Sequence, residues 1–177
     1  MSTYGVLAEF KTPAELYVAC ERVRDAGYTR WDAHSPFPVH GLDGAMGMTR
    51  SKLPFIVLVL ALGGAATGFL LQTWVHSAAY PLTISGKPHF AWPAYVPITF
   101  ELGVLGGALA AVFGMLGLNQ LPRHHHPLFE SERFARFSDD AFFISMESAD
   151  PMFDPVATSR LLSSVGASHV ETIAERP

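Results

Sequence analysis

Two runs, Leu53 to Val75 and Val96 to Leu118, limit what this chain can fold into more than anything else in its 177 residues. Each is 23 residues long; the first carries no charge and the second carries only Glu101. A helix of that length spans roughly 34 Å, enough for a hydrocarbon core of about 30 Å. Buried helices of soluble proteins usually run about 8 to 20 residues. The runs therefore predict two transmembrane helices, 53–75 and 96–118, joined by an external loop at 76–95. Arg50 and Lys52 precede the first run, and Arg123, Arg133 and Arg136 follow the second. Of Lys and Arg, the loop holds only Lys87. The positive-inside bias then puts both termini in the cytoplasm and the loop outside. Trp74, Tyr80, Trp92 and Tyr95 are positioned for an aromatic belt at the outer interface.

Within the spans, small residues mark a packing face. Gly64 and Gly68 form a GxxxG pair, and Gly103, Gly107, Ala110, Gly114 and Gly117 follow one stripe at spacings of four and three. Such residues let helices approach closely where the hydrophobic effect no longer drives association. An intramembrane carboxylate is costly and points to function by default. Glu101 has three readings: a hydrogen bond to a partner or to the other helix, a proton relay, or a side chain reaching the interface.

The flanking segments share one pattern. Residues 1–35 read strand (Tyr4–Phe10), helix, strand (Tyr28–His34). Thr12, Pro13 and Glu15 spell a capping box with proline at the first helical position, and Gly27 ends the helix. Leu16, Cys20 and Val23 recur at helical spacing. Residues 141–177 repeat this order: a strand at Ala141–Ser148, a cap at Asp154, Pro155 first in the helix, a stop at Gly166 and a strand at Ser168–Glu175. Leu161, Leu162 and Val165 supply that helix's apolar face. Neither half buries a core alone. Together they predict an α+β fold: a ferredoxin-like βαββαβ cytoplasmic domain split by an inserted two-helix transmembrane hairpin.

Two connectors join the halves to the spans. The first, 36–52, is rich in Gly and Pro and is expected to lack regular structure; Gly41, Gly44 and Gly47 permit positive φ. The second, 119–140, carries Leu128, Phe129, Phe134 and Phe137. Connectors this long are usually functional or mobile. Their large apolar residues either face a neighbouring protein or pack beneath the domain's own sheet, and the sequence leaves both open.

Little in the chain suggests chemistry. Cys20 is the only cysteine, so an intrachain disulfide and a cysteine-held cluster or haem are ruled out. The net charge of −4 is spread along the chain, with no basic stripe for nucleic acid. His124, His125 and His126 are adjacent rather than at ligand spacing. Asp139, Asp140, Asp150 and Asp154 are read as turn and cap residues, without EF-hand spacing. No phosphate loop, dinucleotide fingerprint, nucleophile elbow or HExxH occurs.

PVHGLDGAMGMTRSKLP (38–54), VPITFELGVLGG (96–107), LPRHHHPLF (121–129), ERFARFSDDAFFISME (132–147) and DPMFD (150–154) carry a resemblance. Together they are similar to the ActD subunits of bacterial alternative complex III, over nearly the whole chain. The shared runs include His40 to Asp43, Phe100 to Leu102, and His126 to Phe129. His124 and His125 fall outside the pattern. The resemblance implies a subunit of a quinol-oxidising complex in the bacterial cytoplasmic membrane. It implies no cofactor in this chain, with haem c and iron–sulfur clusters in partner subunits. The quinol site is expected in NrfD-like polytopic partners. The implied role is assembly or stabilisation, with possible support of proton movement. His40, Gly41, Asp43, Gly47, His126 and Phe129 become interface candidates; Gly64, Gly68, Gly103, Gly107 and Gly114 become helix-packing candidates. The competing reading is a membrane-tethered ferredoxin-like module that binds a ligand or senses one.

Overall fold

The computed structural model describes residues 2–175, so Met1, Arg176 and Pro177, at the ends of the two expected halves, lie outside the described residues. In chain order the elements are β1 (Ser2–Phe10), α1 (Pro13–Asp25), β2 (Trp31–His34), α2 (Leu42–Met46), α3 (Leu53–Trp74), α4 (Val96–Leu118), β3 (Phe142–Glu147), α5 (Pro155–Ser164) and β4 (His169–Glu175). They divide into two units, residues 1–49 with 124–177, and residues 50–123.

The first unit is built on a four-stranded sheet in the order β2-β3-β1-β4, with every neighbouring pair antiparallel. Strand alternation gives the sheet two buried faces. Val6, Ala8, Phe10, Ile144 and Met146 pack against Leu16, Cys20 and Val23 of α1 and Leu162 of α5. Leu7, Phe143 and Ile173 form the other face, covered by Leu128 and Phe134 of the returning connector.

The helix starts follow from their caps. Thr12 Oγ1 accepts from the Glu15 N–H at 3.2 Å while the Glu15 carboxylate accepts from the Thr12 N–H at 3.3 Å. Asp154 accepts from the Ala157 N–H at 2.6 Å, with Pro155 following. Gly27 and Gly166, just past the helices, sit at φ 91 and 102. β2 is shorter than the expected Tyr28–His34. The N–H groups of Thr29 and Arg30 are taken by the Asp150 carboxylate, and the ladder begins only at Trp31.

The first connector differs from its expectation of no regular structure. Five residues, Leu42–Met46, form α2, with Gly41 (φ 78) before it and Gly47 (φ 70) after it, both left-handed. Gly44 lies inside the turn and its φ is not positive. A helix this short has no periodicity to read.

The second unit is a pair of helices long and apolar enough to cross a membrane, spanning Leu53–Ala79 and Trp92–Leu118. The first ends in a π-helical turn, Val75–Ala79, and stops where Pro81 forces Tyr80 out of helical geometry. Few residues of either span are buried, unlike those of the core helix of a soluble protein. Trp74, Tyr80 and Trp92 are exposed at the loop end of the pair, but Tyr95 is not part of that belt. It is buried, donates its hydroxyl to the His89 carbonyl at 2.9 Å, and packs against Phe69, His76 and Phe90. The loop folds back on itself and needs an amphipathic ring to close it.

Candidate functional site

In the first unit, two polar constellations bind the returning connector and the turns to the sheet. Glu9, on the central strand, is almost fully buried and takes Arg136 Nη1 at 3.0 Å and Arg133 Nη1 at 3.2 Å. Arg136 also forks onto Asp140 at 2.8 and 2.7 Å. That pairing holds the Asp140 carboxyl below the ordinary carboxylate value. Ser131 Oγ donates to Glu171, and the Phe134 N–H donates back to Ser131 Oγ at 3.3 Å. The run ERFARFSDD is thus fastened to this chain's own sheet by charge at Arg133 and Arg136 and by apolar contact at Phe134.

Asp150 is the second constellation. Its carboxylate accepts from the N–H groups of Thr29 (2.7 Å), Arg30 (2.7 Å) and Met152 (2.8 Å), and from the Thr29 hydroxyl (3.1 Å). Burial works to raise its pKa, but these donors outweigh it and hold the group below its ordinary value. Tyr28 adds a second tie between the halves, its hydroxyl 3.1 Å from Thr158 Oγ1.

Between these lies a cleft of about 760 Å³ in the first unit, lined by Tyr4, Asp32, His34, His126 and Ser145 among others. His34 Nε2 is 3.0 Å from Ser145 Oγ, and its ring stands edge-on to Phe134. His126 Nδ1 accepts from the Leu128 N–H at 3.4 Å, which leaves the neutral ring's proton on Nε2, 3.3 Å from the Tyr4 hydroxyl. Desolvation pushes the His34 pKa down; Asp32 opposes this and His126 adds to it. A base with a lowered folded pKa resists a proton that the unfolded chain accepts. Stability from this group is full above pH 6.5 and is lost as pH falls through the folded value. The thermal midpoint of the first unit is expected to decline as pH falls below 6.5, and His34→Gln is expected to flatten that limb. An unchanged slope in the variant would assign the decline to other groups.

The interface candidates separate. Gly41 and Gly47 bracket α2, which packs on α1 through the buried Ala45 and is capped by Arg24 Nη1 on the Gly44 and Ala45 carbonyls at 3.1 and 3.2 Å. A side chain at Gly47 would approach Arg24 Cδ at 2.9 Å. His40 and Asp43 are exposed. His126 serves the cleft, and Phe129 is 60% exposed while its neighbours Leu128 and Phe134 are buried. Of the connector's large apolar residues, Leu128, Phe134 and Phe137 pack under the sheet, and Phe129 is exposed. His125 pairs with Glu130 at 3.3 Å. Among the described residues, no three of His, Cys, Asp and Glu are grouped to hold a metal ion.

In the second unit, the packing face differs from the expected stripe at two glycines, Gly106 and Gly117. Gly64 lies against the Leu102 carbonyl, and Gly68 against Leu102 and Ile98. Gly103 meets Ala65, and Gly107 meets Ala61. Gly106, absent from the expected stripe, is the tightest of that helix, with a Cβ position only 2.6 Å from the Leu60 carbonyl oxygen. Gly114 lies close to Leu53, but Gly117 faces open space and takes no part. Spacings of four and three trace Gly103 and Gly107, and the helix crossing brings Gly106 against α3 as well.

Residues 4–172 match the family described as alternative complex III, ActD subunit. The chain belongs to the ActD subunit family of alternative complex III. The match takes in both units and runs from within β1 to within β4. Family membership makes the chain a subunit of that complex, and the other subunits its partners. Two exposed apolar helices and membership of such a complex describe a membrane protein. No curated protein matches the chain.

Proposed function

We propose that the chain is a non-catalytic, two-pass subunit that stabilises a quinol-oxidising assembly in the bacterial cytoplasmic membrane. The observation that carries this reading is the family match over residues 4–172. Its first unit is a ferredoxin-like split βαβ domain, a reading supported by the strand order β2-β3-β1-β4 with α1 and α5 on one face. Both termini are cytoplasmic, a reading supported by Arg50, Lys52 and Arg123 flanking the spans. Haem c and iron–sulfur clusters reside in partners, among them NrfD-like membrane subunits that oxidise the quinol. The polar side chains of the first unit act structurally: they join connector to sheet and half to half. Support of proton movement is the subordinate part of this proposal and rests on Glu101 alone.

Affinity purification of the tagged full chain from native membranes in mild detergent tests the reading. A reduced-minus-oxidised spectrum of c-type haem, with several large membrane partners, is the expected result. A colourless, partner-free preparation would overturn it. A second reading, a membrane-tethered ligand-binding module, draws on the cleft beside β2, and saturable binding of a small ligand by that partner-free protein would favour it.

A further inference from the structure

Three polar side chains of α3 are engaged within the second unit. Gln72 Nε2 donates to the Gly68 and Tyr95 carbonyls at 3.0 and 3.1 Å. The Thr67 and Thr73 hydroxyls donate to the Gly63 and Phe69 carbonyls at 2.8 and 2.9 Å. Glu101 is different: it is exposed and makes no hydrogen bond or ion pair with any described residue. It is the sixth residue of α4, roughly 8 Å along the axis from Val96. Its neighbours on the same helix face, Val104, Leu105, Ala108 and Val112, are all exposed and apolar. Leu102, Gly103 and Gly106, on the other face, are used against α3. Neither helix contains Lys or Arg, so the pair itself supplies no cation for this carboxylate.

A carboxylate on an apolar membrane face is stable when something brings it a positive charge or a strong donor. Hydrocarbon cannot. A groove of about 630 Å³ borders the same face, sharing Val104 and Ala108 with it. Its floor is made of Ala61, Ala65, Gly103 and Gly107, small enough to admit another helix closely. The hydroxyl of Thr99, which also lines the groove, is buried without a partner. We propose that this face of α4 docks on a membrane-spanning helix of a partner subunit that brings a basic side chain to Glu101. The inference rests on the subunit reading above and adds which face is covered and by what chemistry.

The test places a benzophenone-bearing amino acid at Val104 or Val112 in the full chain, expressed in native membranes, with Leu62 on α3 as the reference position. Irradiation is expected to give adducts at 104 and 112 that map to a membrane-spanning peptide carrying Arg, Lys or His. Glu101→Ala is expected to abolish both adducts, and Glu101→Gln to leave a reduced yield. Adducts confined to lipid or to a second copy of this chain overturn the proposal, as does full adduct yield in Glu101→Ala. Recovery of the haem-bearing assembly without protein adducts at 104 and 112 removes this inference alone. Failure to recover any assembly removes the subunit reading with it.

Discussion

Asp150→Ala is expected to lower the unfolding free energy of the first unit by about 3 kcal/mol, the largest effect of any single polar substitution there. Four donors converge on that carboxylate, three of them backbone N–H groups. Alanine leaves them without an acceptor in a site that is only 5% exposed at Asp150. The loss also has a direction in sequence. Thr29 and Arg30 belong to the half before the spans, and Asp150 and Met152 to the half after them. Thermal unfolding of the detergent-solubilised chain, followed by circular dichroism, measures it. Acid should produce the same weakening in the parent protein. The Asp150 pKa is held down in the fold, so its contribution is full above the ordinary carboxylate value of 3.8 and is lost as pH falls through the folded value. A variant within about 0.5 kcal/mol of the parent would mean that water replaces the carboxylate.

Gly64→Val is expected to separate α3 from α4, at a cost of about 2 to 3 kcal/mol. The added carbon would overlap the Leu102 carbonyl, which is backbone and cannot rotate away. A distance-sensitive readout is built into the pair: a Cβ at Gly107 lies 3.4 Å from the Ala61 Cβ. Cysteines at Ala61 and Gly107 are therefore close to disulfide geometry. Oxidation should cross-link them within the parent hairpin and fail to do so once Gly64→Val is added. Cys20 does not confuse the result, because burial first and Asp32 second push its thiol up to about 12. Equal cross-linking in both backgrounds would show that the helices tolerate the bulk.

Local chemistry was readable where it is governed by neighbours in sequence. Thr12 with Glu15, Asp154 with Pro155, and the glycines at 27 and 166 act within one turn of where they stand, and the helices begin and end there. Span length is likewise a local property. Residues whose partners lie 120 or more positions away were not readable in that manner. Asp150 looks like one more turn aspartate until Thr29 and Arg30 are brought to it. Glu9 is an unremarkable strand residue until Arg133 and Arg136 return from beyond the spans. Gly5 shows the same limit on β1. It lies at the register shift between Thr3 and Gly5, pressed against the Met146 carbonyl, and only the pairing with β3 reveals why no side chain fits. Gly106 was missed because helical spacing alone does not say where a second helix crosses.

The strand order has a consequence for how such a chain is made. β1 and β2 are not neighbours; β3 lies between them, and β4 lies on the far side of β1. Everything synthesised before the first span therefore lacks a single complete ladder, and both ladders of β1 wait for residues beyond 141. The order of events follows: the two apolar helices leave the ribosome before the domain that flanks them can exist. The sheet also closes only if the two flanks emerge on the same side of the bilayer. A chain that inserted one helix and not the other would hold its halves apart, unfolded and open to proteolysis. Completion of the sheet is thus an internal check on insertion, and a chain that passes it is the one left to meet its partners.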